Sequence, residues 1–294
     1  WLELRPNVWD DYLISLKTNR KKYNTDKNYL NAIEGNTNIT CFNDWVKELR
    51  EKNYLHNHAR MWFASIWIFT LELPWELGAE FFLKHLYDGD SASNTLGWRW
   101  VAGLHTPGKY YIASEWNIKM FTNNRYEKVK LNENIKPKVN GKIYSISKKN
   151  FSSSEITDGK ALLVFDNNLS FEFSDFKDKK FKKILLVNSN ENREISLSRN
   201  VIKFKEFLFQ DQIKRLNKLS IDSEIINIKD IKKYKDNVYA LYPSIGENLD
   251  FINSNKLENI KFLYRKIDQF SWPYCIKGFF NFKNYIPKII QNIS

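Results

Sequence analysis

The chain has 294 residues, 43% of them apolar and 16% aromatic, enough to fill one large core or two ordinary ones, and this excludes global disorder. No uninterrupted apolar run reaches the roughly 18 residues that a membrane-spanning helix needs. A net charge of +12 favours polyanions such as nucleic acid or acidic surfaces, but Lys, Asn and Ile are so abundant that composition alone produces the same excess.

The chain begins at Trp1, without an initiator Met or a signal-peptide pattern, which predicts that it starts inside a longer polypeptide. Cys41 and Cys275 lack metal-type spacing, so free, buried thiols in a reducing, cytoplasmic compartment are expected. Nine of the ten tryptophans precede residue 117, and all four histidines lie in the first half. Beyond Phe121 the composition shifts. The expected organisation is a helical domain over 1–121, a low-complexity linker over 122–158 and an α/β domain over 159–294.

In chain order, Thr40–His56 spaces Phe42, Trp45, Leu49 and Leu55 at near-helical intervals. Asn57 is the expected N-cap of the next helix, which carries the apolar stretch Met61–Leu73. Pro74 suits the first turn of a helix over Trp75–Tyr87. Gly89 fits a turn between Asp88 and Asp90, and a helix follows over Ala92–Val101. In the second half, Ala161–Phe165, Ile184–Val187, Ile225–Ile228 and Val238–Tyr242 read as short buried strands. Phe204–Leu219 and Asn248–Ile252 read as helices. Strands alternating with helices predict a small parallel-sheet α/β domain, and no glycine-rich phosphate loop is present in it.

Taken singly, the polar residues of the first half are ambiguous. Asn57 and Arg60 share a helical face, and Arg60 could pair with Asp88 or lie on the surface. His56-x-His58 has no third ligand nearby in sequence, so no metal site is expected. Asp88-Gly-Asp90 is compatible with a polar turn or with a metal–nucleotide site. Five indoles at Trp62, Trp67, Trp75, Trp98 and Trp100 suit core packing, electron relay or base stacking.

Together these pieces are more specific. Asn57, Arg60 and Met61, then Trp75, the Asp88-Gly-Asp90 turn, Asn94 and the Trp98-x-Trp100 pair resemble, in order and spacing, the flavin-binding core of the cryptochrome/DNA photolyase family. The resemblance covers about Phe42–Tyr111. The stretches "WLELRPNVW", "YLHNHARMWFASIWIFTLELPWELGA", "DGDSASNTLGWRWVAGLHTPGKYY" and "SWPYCIKGFFNFKNYIP" look like a bacterial branch of that family with a divergent C-terminal α/β domain.

The resemblance implies a helical FAD-binding domain, incomplete at its N-terminus, followed by the α/β domain. It implies that Arg60, Asp88, Asp90 and Asn94 hold FAD, and that Asn57, Met61 and Trp100 face the substrate. Trp75 and Trp98 would form the inner electron relay, with Asn94 beside the reactive flavin nitrogen. The implied activity is blue-light-driven electron transfer to a flipped cyclobutane pyrimidine dimer in DNA, a lyase reaction in which the cofactor does the chemistry. Two alternatives remain: a cryptochrome-type light sensor without repair activity, and an interaction protein that keeps the fold without stable flavin. Several family elements have no counterpart here: the Ser/Thr phosphate clamp, the substrate-side Glu and the outer relay tryptophan, for which Tyr23 could substitute as a terminal donor. The family's acid near Phe42 is Asn43. The rest of the FAD site is expected from a missing N-terminal segment or a complementing chain.

Overall fold

A computed structural model describes residues 1–106, 108–136, 141–149, 156–234, 238–257 and 260–293. Parts of the expected linker, 137–140 and 150–155, lie outside the described residues. The chain forms two compact units. One comprises Asn7–Tyr144 with Leu197–Val201, and the other Trp1–Pro6, Ser145–Ser196 and Ile202–Ser294.

The first unit is helical: α1 (Asn7–Tyr23), α2 (Lys27–Glu34), α3 (Thr40–Lys52), α4 (Asn57–Ser65), α5 (Trp75–His85), α6 (Ser91–Val101) and α7 (Glu115–Phe121). In α1, Val8, Trp9, Tyr12 and Leu16 are buried and recur at helical intervals. The α2 helix starts on Asp26, whose side chain accepts the Tyr29 N–H at 2.8 Å. It ends on Gly35 at φ 71°, where a Cβ would lie 3.2 Å from the Asn43 carbonyl oxygen of α3. Asn43, in place of an acid, clamps that loop. Its Oδ1 accepts from the Thr37 N–H and hydroxyl at 3.0 and 2.7 Å, and its Nδ2 donates to the Thr37 carbonyl at 2.7 Å. After α4 the helix widens into a π-helical stretch over Ile66–Thr70, a local irregularity common near functional sites.

Two expectations for this unit change. His56, not Asn57, caps α4, with its Nδ1 accepting the His58 N–H at 3.3 Å. Asn57 is already helical, so its amide projects from the first turn. The unit also runs past residue 121, because Tyr126 and Val129 are buried in it and Tyr126 donates to Asp44 at 2.8 Å.

The second unit is a five-stranded, fully parallel sheet in the order β3-β2-β1-β4-β5. Its strands are β1 (Ala161–Phe165), β2 (Lys183–Val187), β3 (Ser223–Ile226), β4 (Val238–Leu241) and β5 (Lys261–Leu263). The longest helix is α8 (Arg199–Lys218), followed by α9 (Ile228–Ile231), α10 (Glu247–Ser254), α11 (Lys266–Ser271), α12 (Phe279–Phe282) and α13 (Ile286–Ile293). Both sheet faces are covered. Leu163, Phe165, Leu185 and Ala240 pack with Phe251 of α10, while Leu162, Val164, Ile184 and Leu186 pack with Phe209 and Leu216 of α8. That explains why β1 reads as an unbroken apolar run.

Residues 1–6, expected in the helical domain, belong to this α/β unit. Leu2 and Leu4 are buried. The Glu3 carboxylate accepts from Tyr242 Oη at 2.9 Å and the Ile245 N–H at 2.6 Å, and pairs with Lys149 at 2.5 Å. Of the two thiols, Cys41 is buried, and burial pushes it up to about 12, whereas Cys275 is half-exposed rather than buried. Among the described residues, no helix is long and apolar enough to cross a membrane.

Candidate functional site

Helices α4, α5 and α6 and the turn joining the last two enclose a cleft of about 340 Å³, within the range of small-molecule sites. Asn57, Arg60, Met61, Asp88, Asp90, Asn94, Trp98 and Trp100 all line it. Eight of the nine residues to which the resemblance gives a site role therefore converge. The ninth, Trp75, does not line the cleft. It opens α5, half-buried, with its ring 5.3 Å from Tyr12 and the Arg99 guanidinium 5.9 Å above it.

Arg60 donates through Nη2 to both Asp88 oxygens, at 3.0 and 2.9 Å, and through Nε to the Leu55 carbonyl at 2.8 Å. That second bond fixes the guanidinium plane, so the ion pair is oriented even though Asp88 is 54% exposed. Asp90 is the N-cap of α6. Its Oδ1 accepts the Ser93 N–H at 2.7 Å, which ties the cap to the carboxylate turn. Asn94 Nδ2 donates to the Ala79 carbonyl at 2.9 Å and thereby orients the amide.

Trp98 forms the floor. It is 2% exposed and wedged among Phe63, Trp67 and Phe82, with centroids 6.3, 6.2 and 5.0 Å away. Its ring fits only because residue 78 is glycine: a Cβ there would meet two indole carbons at 2.2 and 2.4 Å. Trp100 is different in kind. It is 40% exposed and stacks on Tyr111 at 5.9 Å and 21°. His58 stacks on Trp62 at 5.6 Å, so it packs as an aromatic.

Asn53 escaped the sequence reading. It ends α3 at φ 57°, is fully buried, and its Nδ2 donates to the His85 carbonyl at 2.7 Å. Its own carbonyl accepts the Tyr87 N–H at 3.0 Å, so one residue holds the strand of chain leading into Asp88. The signal was an Asn just past a predicted helix end, where the left-handed conformation favours Asn or Gly. Asn53→Ala should cost about 2 to 3 kcal/mol, from lost buried hydrogen bonds and an alanine at positive φ. Urea titration checks this, and a loss below about 0.5 kcal/mol, the scatter of ordinary surface changes, would refute the anchoring role.

The lining suits the ring end of a flavin. Phe82, Leu86 and Val101 give an apolar bed, while Asp88, Asp90 and Asn94 give polar groups along one lip. Among the described residues the buried Trp98 Nε1–H has no acceptor, and a Cβ on Gly97 would meet open space. A flat heteroaromatic ligand with donors and acceptors on its edge would satisfy such a site.

The comparisons agree. Residues 8–130 match the FAD binding domain of DNA photolyase. The deoxyribodipyrimidine photo-lyase of Buchnera aphidicola subsp. Baizongia pistaciae is 32% identical over 108 residues, 36% of this chain and 23% of that protein. The Streptomyces griseus deoxyribodipyrimidine photo-lyase is 36% identical over 104 residues, 35% of this chain and 22% of that protein. Arabidopsis thaliana Cryptochrome-1 is 33% identical over 79 residues, 26% of this chain and 12% of that protein. The chain spans less than a quarter of the length of these relatives. No solved structure matches it. The family match makes the helical unit an FAD-binding domain, and a parallel α/β unit accompanies it in the chain. Over residues 8–130 the chain is similar to the photolyase/cryptochrome family.

Proposed function

We propose that this chain carries the flavin site of a cytoplasmic, light-driven deoxyribodipyrimidine photo-lyase acting on DNA that contains cyclobutane pyrimidine dimers. The observation that carries the reading is Trp100: an exposed indole, backed by Tyr111, at the edge of the cleft that also holds Asn57 and Met61. A half-exposed ring beside a flavin seat is suited to stack on an extruded base, a contact worth about 1 to 3 kcal/mol per base.

In this reading Arg60 orients Asp88, and Asp88 and Asp90 accept hydrogen bonds from the ring edge. Asn94 presents its amide to the ring without adding charge, and Trp98 and Trp75 relay electrons inward. Bound FAD supplies a light-energised electron that opens the dimer and is then recovered. The chain's part is to seat the ring, exclude water behind Trp98 and stack the lesion on Trp100. The positive charge of the chain favours the DNA backbone, so affinity should fall steeply with salt.

The test is to load the chain with FAD and illuminate it with a dimer-containing oligonucleotide, counting the dimers that remain. Dimer loss should depend on blue light. Trp100→Ala should retain FAD while weakening binding to the lesion about tenfold or more, the equivalent of one lost stacking contact. Retained flavin with intact lesions would favour the light-sensor reading. Failure to hold flavin would leave the interaction-protein reading.

A further inference from the structure

Trp98 is linked through successive aromatic rings to Tyr29 of α2. Its ring meets Trp67 edge-on at 6.2 Å, and Trp67 meets Tyr29 edge-on at 6.1 Å. Trp98 lines the cleft, Trp67 is fully buried, and Tyr29 lies half-exposed near the start of α2. We infer that Trp98, Trp67 and Tyr29 form a second electron path from the cleft to the protein surface, separate from the one through Trp75. The inference rests on the light-driven flavin reading above.

Each member is held in place by a specific constraint. Gly78 leaves room for the Trp98 ring. Trp67 donates its indole N–H to the Pro74 carbonyl at 2.8 Å, an arrangement whose dipole favours positive charge on that ring. Trp67 also lies in the π-helical stretch, whose wider turn is closed by the Leu71 N–H donating to the Ile66 carbonyl at 2.9 Å. The Tyr29 backbone N–H is held by the Asp26 cap of its own helix, and its ring meets Trp67 edge-on. Burial, and after it Glu80, push the Tyr29 phenol up to about 12, so it is protonated throughout the neutral range.

The step balances as a one-electron oxidation. Trp98 loses one electron to a photo-excited isoalloxazine in the cleft, Trp67 refills Trp98, and Tyr29 refills Trp67. The phenolic proton passes to solvent, which leaves a neutral tyrosyl radical. The end point is a tyrosine because a phenol that sheds its proton is a deeper trap for the missing electron than a buried indole.

The experiment traps the radical where it stops. The full chain, with FAD and without it, is flashed in the presence of a nitroso spin trap, and adducts are located by peptide mass spectrometry. Blue light drives the FAD sample, and ultraviolet light ionises the indoles of the flavin-free sample. An adduct on Tyr29 is expected in both, lost in Tyr29→Phe and in Trp67→Phe, and retained in Trp75→Phe. Circular dichroism on each variant separates a lost path from a lost fold, and Tyr29→Phe removes only a half-exposed hydroxyl. An adduct that survives Trp67→Phe but vanishes in Trp75→Phe would overturn the inference, as would bound FAD with no Tyr29 adduct. Failure of FAD to bind would instead defeat the flavin reading, and the ultraviolet arm would still report on the path.

Discussion

Gly78→Ala is expected to unseat Trp98, lower stability by about 1 to 3 kcal/mol and strip the cleft of its affinity for flavin. The new methyl would stand 2.2 and 2.4 Å from two carbons of the indole's six-membered ring, well inside contact distance. That ring cannot swing aside, because Phe63, Trp67 and Phe82 hold its other sides. The strain must therefore go into an unfavourable rotamer or a shift of α5 against α6, and either one moves the floor on which the ring of FAD would rest. A double variant separates this from general damage. Trp98→Phe removes the outer ring atoms that clash, so Gly78→Ala should cost much less in that background, and the coupling between the two changes measures the contact. Wild-type stability and undiminished flavin retention in Gly78→Ala would show that Trp98 is not confined as described.

How far the sequence revealed this site depended on the range of the interaction. The Asp90 cap, the Asp88 turn and the Arg60 face are local features, written in residues within a few positions of one another. The sequence expressed them almost where they occur, although the cap of α4 falls on His56 rather than Asn57. That these pieces meet in one cleft came from the family resemblance, since periodicity alone does not fold α4 against α6. Gly78 and Asn53 were silent because their importance lies in what approaches them from elsewhere: an indole 20 positions on for one, a carbonyl 32 positions on for the other. In the α/β unit the apolar runs announced four strands. The fifth, Lys261–Leu263, is three residues long with an exposed first residue, too short for a pattern to register. Nor did anything mark "WLELRP" as part of that unit, because Glu3 is bound by residues more than 140 positions away.

The largest expected effect on stability lies in that second unit, at the carboxyl ends of its central strands. Asp166 follows β1 and is 4% exposed, yet it is charged. Burial alone would raise its carboxyl, but Arg193 and Lys205 outweigh that and hold it down at about 2. Arg193 Nη2 reaches Asp166 at 2.9 Å while its Nη1 reaches Glu247 at 2.5 Å, Lys205 also pairs with Asp166, and Asn248 donates to it at 2.6 Å. Two cations and two carboxylates thus balance inside a region with little water. Asp166→Asn keeps the shape and removes one negative charge, leaving two cations against Glu247 alone, and should cost about 3 to 5 kcal/mol. The pH dependence has a definite sign. The folded value lies below the ordinary 3.8, so the stabilisation is complete above 3.8 and is lost as pH falls through about 2. Acid should remove about 2 kcal/mol from the wild type over that window, and Asp166→Asn should lack this part of the slope. Urea midpoints at neutral pH and across the acid range measure both. If the variant unfolds within about 1 kcal/mol of the wild type, a range typical of exposed pairs, the cluster is a solvated surface pair rather than a buried clamp on the ends of β1 and β4.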